Sequence, residues 1–253
     1  MKRDITHELS SSVREQLDFL AQALGNNSFF IQDTETTGIG ELDQIHDFAG
    51  LYYENGKVYQ IQYYVVQPDD IDENGAIHVN FDELKQKNKN VAAFKNMISS
   101  KDYIKLRQQM LNKHSWDEND PMITREGLAD LLKTRYSKIP NFTYNAVFDI
   151  RMEKKLERSI NSKIKFKEVY DVMTMSLDLM PGILTENMGK ELSKGRLEKV
   201  YKYLEKHYPK EFSKFKTVNA GAQTHTAWDD VFQYTVPVLN FMVYSLREKG
   251  YKI

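Results

Sequence analysis

The sequence predicts an α/β chain on three observations. Three apolar runs of strand length stand close together, at about 28–35, 45–53 and 58–66. The second and third are joined by Glu54-Asn55-Gly56-Lys57, and Asn-Gly between apolar runs is the strongest short hairpin signal. After residue 120, short apolar runs alternate with stretches whose apolar residues recur every three or four positions, the helical period.

The 253 residues suffice for one large domain or two small ones. A single domain over 1–253 is expected, with 1–27 as a helical N-terminal extension and about 69–120 as a helical insertion. Hydrophobic residues at 41% and charged residues at 28% match an ordinary soluble globular protein. No apolar run is long enough to span a bilayer, and Met1-Lys2-Arg3-Asp4 leads into polar residues, unlike a secretory leader. The absence of cysteine excludes disulfides, thiolate zinc sites and a cysteine nucleophile, and fits a cytoplasmic protein. A net charge of −1 provides no global basic field. That argues against a passive binder relying on phosphate contacts. It argues less against an enzyme, whose cations carry positive charge locally.

Taken in order, residues 5–24 read as a packing helix, with Ile5, Leu9, Val13, Leu17, Leu20 and Leu24 on one face and Gly25-Asn26-Asn27 as the stop. The three apolar runs follow as an antiparallel meander, ended by Pro68-Asp69-Asp70. Within 69–120, Val91, Phe94, Met97 and Ile98 suggest one helical stripe and Tyr103, Leu106, Met110 and Leu111 another. This segment reads as a surface elaboration, with a lid or a substrate-contacting insertion as the alternative. Thr124 opens a helix with a capping-type start. Residues 140–148 read as a strand running into a helix near Asp149, which turns Met152, Leu156 and Ile160 inward. Residues 166–170 form another short strand, followed by a helix that Pro181-Gly182 breaks. Residues 197–207 are amphipathic, with Val200, Tyr201 and Leu204 on one face. The stretch from Ala220 to Asp230 then leads into a long apolar helix to about Leu246, and Pro237 should kink it.

The chemistry concentrates in the stretch Phe29-Phe30-Ile31-Gln32-Asp33-Thr34-Glu35-Thr36-Thr37-Gly38. On a strand, residues two apart point to the same side, so Asp33 and Glu35 project together at a strand end. Neighbouring carboxylates raise one another's pKa, and a divalent cation or a basic partner relieves them. A solvated acidic strand end is the bland alternative. Asp149 stands at a strand-to-helix junction, where an acid most often serves as an N-cap. His225 and Asp230 are five apart at the start of the last helix, and Asp229 and Asp230 also suit a helix first turn.

Asp33-Thr-Glu35-Thr-Thr-Gly38, then Asn145-Ala-Val-Phe148-Asp149, then His225-x4-Asp230 resemble, in that order, the three exonuclease motifs of the DEDDh family. This is the DnaQ-like branch of the ribonuclease H-like superfamily. The resemblance covers about residues 28–246. It implies a ribonuclease H-like mixed sheet, an antiparallel meander plus parallel strands, flanked by helices. It also implies a metal-dependent 3′→5′ exonuclease that releases nucleoside 5′-monophosphates. Two divalent cations, Mg²⁺ or Mn²⁺, would act as a pair on the scissile phosphate. By the same resemblance Asp33 bridges both ions, Glu35 and Asp230 complete one site, and Asp149 supports the second. His225 would be the general base, a role suited to an imidazole. Thr36, Thr37, Gly38, Asn145 and Phe148 would line the 3′-end pocket.

Trp228 is bulkier than the residues common between the third motif's His and Asp. Core packing is its first reading, and stacking on a terminal base is the second. The family's short His-Gly element has no counterpart in the long segment before the second motif. Single-stranded or frayed DNA is the favoured substrate, with RNA as the near alternative. A non-catalytic nucleic-acid-binding or scaffold protein on the same fold is the reading from a different class. A polymerase partner would have to act in trans, and a homodimer interface is not legible.

Overall fold

The computed structural model describes residues 1–36, 44–66, 101, 105, 119–183, 197–217 and 226–250. Among the described residues the fold is α/β, with a 7-stranded mixed sheet flanked by helices. Its strands are β1 (Lys2–Asp4), β2 (Ser28–Thr36), β3 (Ile45–Glu54), β4 (Lys57–Val66), β5 (Met122–Thr124), β6 (Pro140–Thr143) and β7 (Glu168–Asp171). The principal helices are α1 (Ser11–Ala23), α2 (Arg125–Thr134), α3 (Ala146–Lys155), α4 (Val172–Ile183), α5 (Leu197–His207) and α6 (Val236–Glu248). Among the described residues no helix is long and apolar enough to cross a membrane.

The sheet runs β1-β4-β3-β2-β6-β7, with β5 also paired to β4. β2, β3 and β4 form the expected antiparallel meander. In its turn Asn55 and Gly56 adopt φ of 51° and 81°, the left-handed pair that a two-residue hairpin needs. β6 lies parallel to β2, β7 parallel to β6, and β5 parallel to β4.

Strand alternation divides the core between the two sheet faces. Phe29, Ile31, Leu51, Tyr53 and Phe142 pack with side chains of α1, α5 and α6. Phe30, Phe48, Tyr52, Ile61 and Tyr63 pack with α2 and with Met152 of α3. Asp33 and Glu35 continue the odd-numbered series of β2 beyond Ile31, so they extend the first face past its apolar part.

Several elements depart from expectation. Ile5 and Leu9 are buried, as their spacing requires, yet they precede the first helix. β1 adds to the sheet beside β4, and Thr6–Glu8 forms a 3₁₀ turn. Ser10 sets the real start of α1, its hydroxyl accepting the Val13 N–H at 3.2 Å. The strand and turn carry the same apolar residues to the same core that a longer helix would reach. Thr124 caps α2 as expected, accepting from the Gly127 N–H at 3.0 Å.

α4 continues through Pro181-Gly182 to Ile183 instead of breaking there. A proline at that point removes one i→i−4 hydrogen bond, and it does so within the last turn. The C-terminal helix is not one kinked rod. A short turn, Ala227–Asp229, passes into a π-helical stretch, Asp230–Thr235, and only then into α6. Pro237 falls in the first turn of α6. The preceding turn widens to i→i−5 bonding, with the Val236 N–H donating to the Val231 carbonyl, and this accommodates a proline that has no N–H to give. The expected helical insertion at 69–120 lies outside the described residues, apart from 101, 105, 119 and 120.

Candidate metal centre

β6 runs parallel to β2, with Gln32 beside Thr143, so the end of β6 opens where Asp33 and Glu35 stand. β3 runs the opposite way and brings its first residues to the same end, with Glu35 facing Asp47. The register shifts between Glu35 and Thr36, which then pairs with Ile45 and leaves His46 as the extra residue of a bulge. Burial pushes the His46 imidazole down to about 4, so it is neutral at physiological pH.

Asp33, Glu35 and Asp230 meet at this end. Each offers a carboxylate oxygen, and these atoms all lie within 4.8 Å of one another. Desolvation pushes the Asp33 carboxyl well up, and the charges of Asp149, Asp230, Glu35 and Asp47 push it further. Glu35 is raised to about 8, by burial first and then by Asp230, Asp47 and Asp149. Three acids this close are mutually destabilising when ionised, and a hard cation with oxygen ligands relieves them. The donor set, carboxylate oxygens without nitrogen or sulfur, suits a hard divalent cation. The three residues can therefore hold a metal ion.

Asp149 is close by but is not part of that group of three. It projects from the first turn of α3 and is buried. Oδ1 accepts from the Thr34 N–H at 3.2 Å and the Thr34 hydroxyl at 2.6 Å, and Oδ2 from the Thr143 hydroxyl at 2.5 Å. Burial raises its carboxyl to about 6, with the Thr143 and Thr34 hydrogen bonds acting against the rise. The N-cap reading of Asp149 does not hold. Asn145 occupies the N-cap, and its carbonyl accepts from the N–H groups of Phe148 and Asp149.

The turn at 226–230 separates the two adjacent aspartates. Asp229 Oδ2 accepts from the Thr226 hydroxyl at 2.6 Å, while the Asp229 N–H donates to that same hydroxyl at 3.1 Å. Asp229 Oδ1 accepts from Gln233 Nε2 at 2.7 Å. Asp229 thus closes the cap, and Asp230, where the π-helical stretch begins, joins Asp33 and Glu35. Trp228 is half-buried against the core and stacks on Phe232 with ring centroids 4.8 Å apart.

The other expected site residues divide. Thr36 is buried at the end of β2. Asn145 is exposed. Phe148 is half-buried on the second core, with the Arg151 guanidinium 5.9 Å from its ring centre. Thr37, Gly38 and His225 lie outside the described residues.

Two acids not singled out from the sequence belong to this neighbourhood. Asp47 is buried, and its carboxyl is raised to about 7. The signal was an acid interrupting the apolar run at 45–53. Glu153 is fully buried one helical turn after Asp149. Burial and the Asp149 charge push its carboxyl well up, with Gln32 as a polar neighbour. The i, i+4 spacing from Asp149 was its signal. In comparisons with known proteins, no family model matched the chain and no curated protein matched it.

Proposed function

We propose that the chain is a metal-dependent 3′→5′ exonuclease of the DEDDh type, on a ribonuclease H-like fold. It hydrolyses phosphodiester bonds of single-stranded or frayed DNA from the 3′ end and releases nucleoside 5′-monophosphates. One observation carries the reading. Asp33 and Glu35 from β2 and Asp230 from a turn far along the chain bring carboxylate oxygens within 4.8 Å of one another. The sheet order supports it, an antiparallel meander extended by parallel strands on the β2 side.

Asp33, Glu35 and Asp230 would hold Mg²⁺ or Mn²⁺, and Asp149 would support a second ion beside Asp33. Bound cations supply Lewis-acid stabilisation of charge on the phosphate and lower the pKa of water. Thr34 and Thr143 orient the Asp149 carboxylate through three hydrogen bonds. His225 is the general base in this reading, its imidazole suited to take a proton near neutral pH. Phe148 and Asn145, on the turn before Asp149, would contact the terminal nucleotide. All five residues that the resemblance assigns to the reaction, Asp33, Glu35, Asp149, His225 and Asp230, are present, which argues against a non-catalytic scaffold on this fold.

The test is digestion of a 5′-labelled single-stranded DNA oligomer with Mg²⁺. Wild type should shorten it stepwise from the 3′ end, and EDTA should stop the reaction. Asp33→Ala should abolish activity, and His225→Ala should reduce it strongly with the fold intact. Equal activity in all three proteins, or indifference to chelation, defeats the mechanism. Cleavage of a matched RNA oligomer alone moves the assignment to an exoribonuclease.

A further inference from the structure

The reading above leaves Asp47 without a task. It is only 2% exposed and lies directly opposite Glu35 on the neighbouring strand. Like charges facing each other across a strand pair are unfavourable. Asp47 Oδ2 accepts the Ala227 N–H at 3.1 Å, while Oδ1 has no hydrogen bond among the described residues. Ala227 is the first residue of the turn that bears Asp230. Its N–H is one of the donors that a helix start leaves without an internal partner.

We infer that Asp47 is a positioning residue: it ties the first peptide of the Asp230 turn to β3, beside Glu35, and so places Asp230 within reach of Asp33 and Glu35. The inference rests on the metal reading proposed above. The Thr226–Asp229 pair shapes the turn from within but does not attach it to the sheet. Asp47 does attach it. Its anchor is stiff, because β3 is paired along its length with β2 on one side and β4 on the other. Outer residues that orient ligands in this way typically change metal affinity without touching the ion.

The test is Mn²⁺ binding to the full chain, followed by the electron paramagnetic resonance signal of free Mn²⁺, with thermal unfolding measured alongside. Asp47→Ala should weaken Mn²⁺ about tenfold or more, whereas Asp47→Asn, whose amide oxygen still accepts the N–H, should stay within about threefold. Ala227→Pro removes the donor instead. Proline is tolerated at a first helical position, and Thr226 has the extended ψ of 151° that a following proline requires. It should reproduce the Asp47→Ala loss, and the double variant should be no weaker than either single one. Thr124→Ala, which removes the cap of α2, supplies a destabilised control whose Mn²⁺ affinity should not change.

Wild-type affinity in Asp47→Ala overturns the inference. So does a loss in Asp47→Asn equal to that in Asp47→Ala, since charge rather than placement would then be the cause. If Asp47→Ala does not fold, Ala227→Pro and Asp47→Asn carry the comparison. A wild-type protein that binds no Mn²⁺ overturns the metal reading itself, and this is read before any variant is made.

Discussion

Thr34 and Asp149, 115 positions apart in the chain, are joined by two hydrogen bonds to one carboxylate oxygen. The Thr34 hydroxyl at 2.6 Å is the shorter of them. The bonds link Asp149, at the start of α3, to the strand that carries Asp33 and Glu35.

Thr34→Val keeps the side-chain shape and the backbone N–H but removes that hydroxyl. Asp149 would then be buried with one partner fewer, at a loss of about 1–3 kcal/mol. The hydrogen bond favours the ionised acid, so its removal raises the Asp149 pKa above its present value of about 6. The deficit should therefore be larger at pH 8 than at pH 5 in urea unfolding. An equal deficit at both would mean that Asp149 does not titrate between pH 5 and 8 in the fold.

Glu35→Gln should act in opposite directions on two measurements. Without metal at pH 8 it removes a carboxylate that burial and three acidic neighbours disfavour, so the variant should be more stable, on the order of 1–2 kcal/mol. Its Mn²⁺ affinity should fall sharply. Calorimetric titration and thermal unfolding in EDTA read the two effects. A metal-free variant less stable than wild type would contradict the crowding of acids around Glu35.

The pH dependence of the metal-free protein has a definite sign above pH 6.5. Glu35 and Asp47, with carboxyls at about 8 and about 7, bind more protons folded than unfolded. Stability then falls as pH rises from 6.5 to 8, on the order of 1 kcal/mol per pH unit. Between 4 and 6.5 His46 acts the other way, because it must gain a proton on unfolding, so the upper window is the informative one. Saturating Mn²⁺ should flatten the slope. A metal-free melting temperature that climbs from pH 6.5 to 8 contradicts the crowded-acid picture.

Gly50→Ala should destabilise without touching the acids. A Cβ at Gly50 would lie 2.2 Å from Phe30 Cζ and 2.8 Å from the Ile31 carbonyl oxygen. The Phe30 ring cannot readily retreat, since it is buried and stacks on Tyr136 with centroids 4.2 Å apart. Overpacking of this kind costs about 1–3 kcal/mol. Thermal unfolding checks it, and a neutral result would mean that the ring moves freely.

The meander was legible because apolar runs of strand length and Asn55-Gly56 are local signals, and local signals survive in a linear sequence. α5 was legible for the same reason, with Val200, Tyr201 and Leu204 buried as their spacing requires. β1 and β5 were not, since strands of three residues carry too little pattern and exist only because β4 offers them the one edge that β3 leaves free. Ile5 and Leu9 show how spacing misleads: a strand and a 3₁₀ turn put them in the core without a helix.

By itself the sequence singled out Asp33, Glu35 and Asp230, which the resemblance to the exonuclease motifs assigns to one ion and which the fold brings together. It did not separate the roles of Asp229 and Asp230 beyond their spacing, and it did not reveal Asp47. Those were decided by tertiary structure alone. A β bulge, a π-helical turn and one hydrogen bond from Ala227 to β3 select the carboxylate that reaches the group of three and the one that holds the turn. Such choices depend on ångström distances between segments far apart in the chain, and no local pattern encodes them.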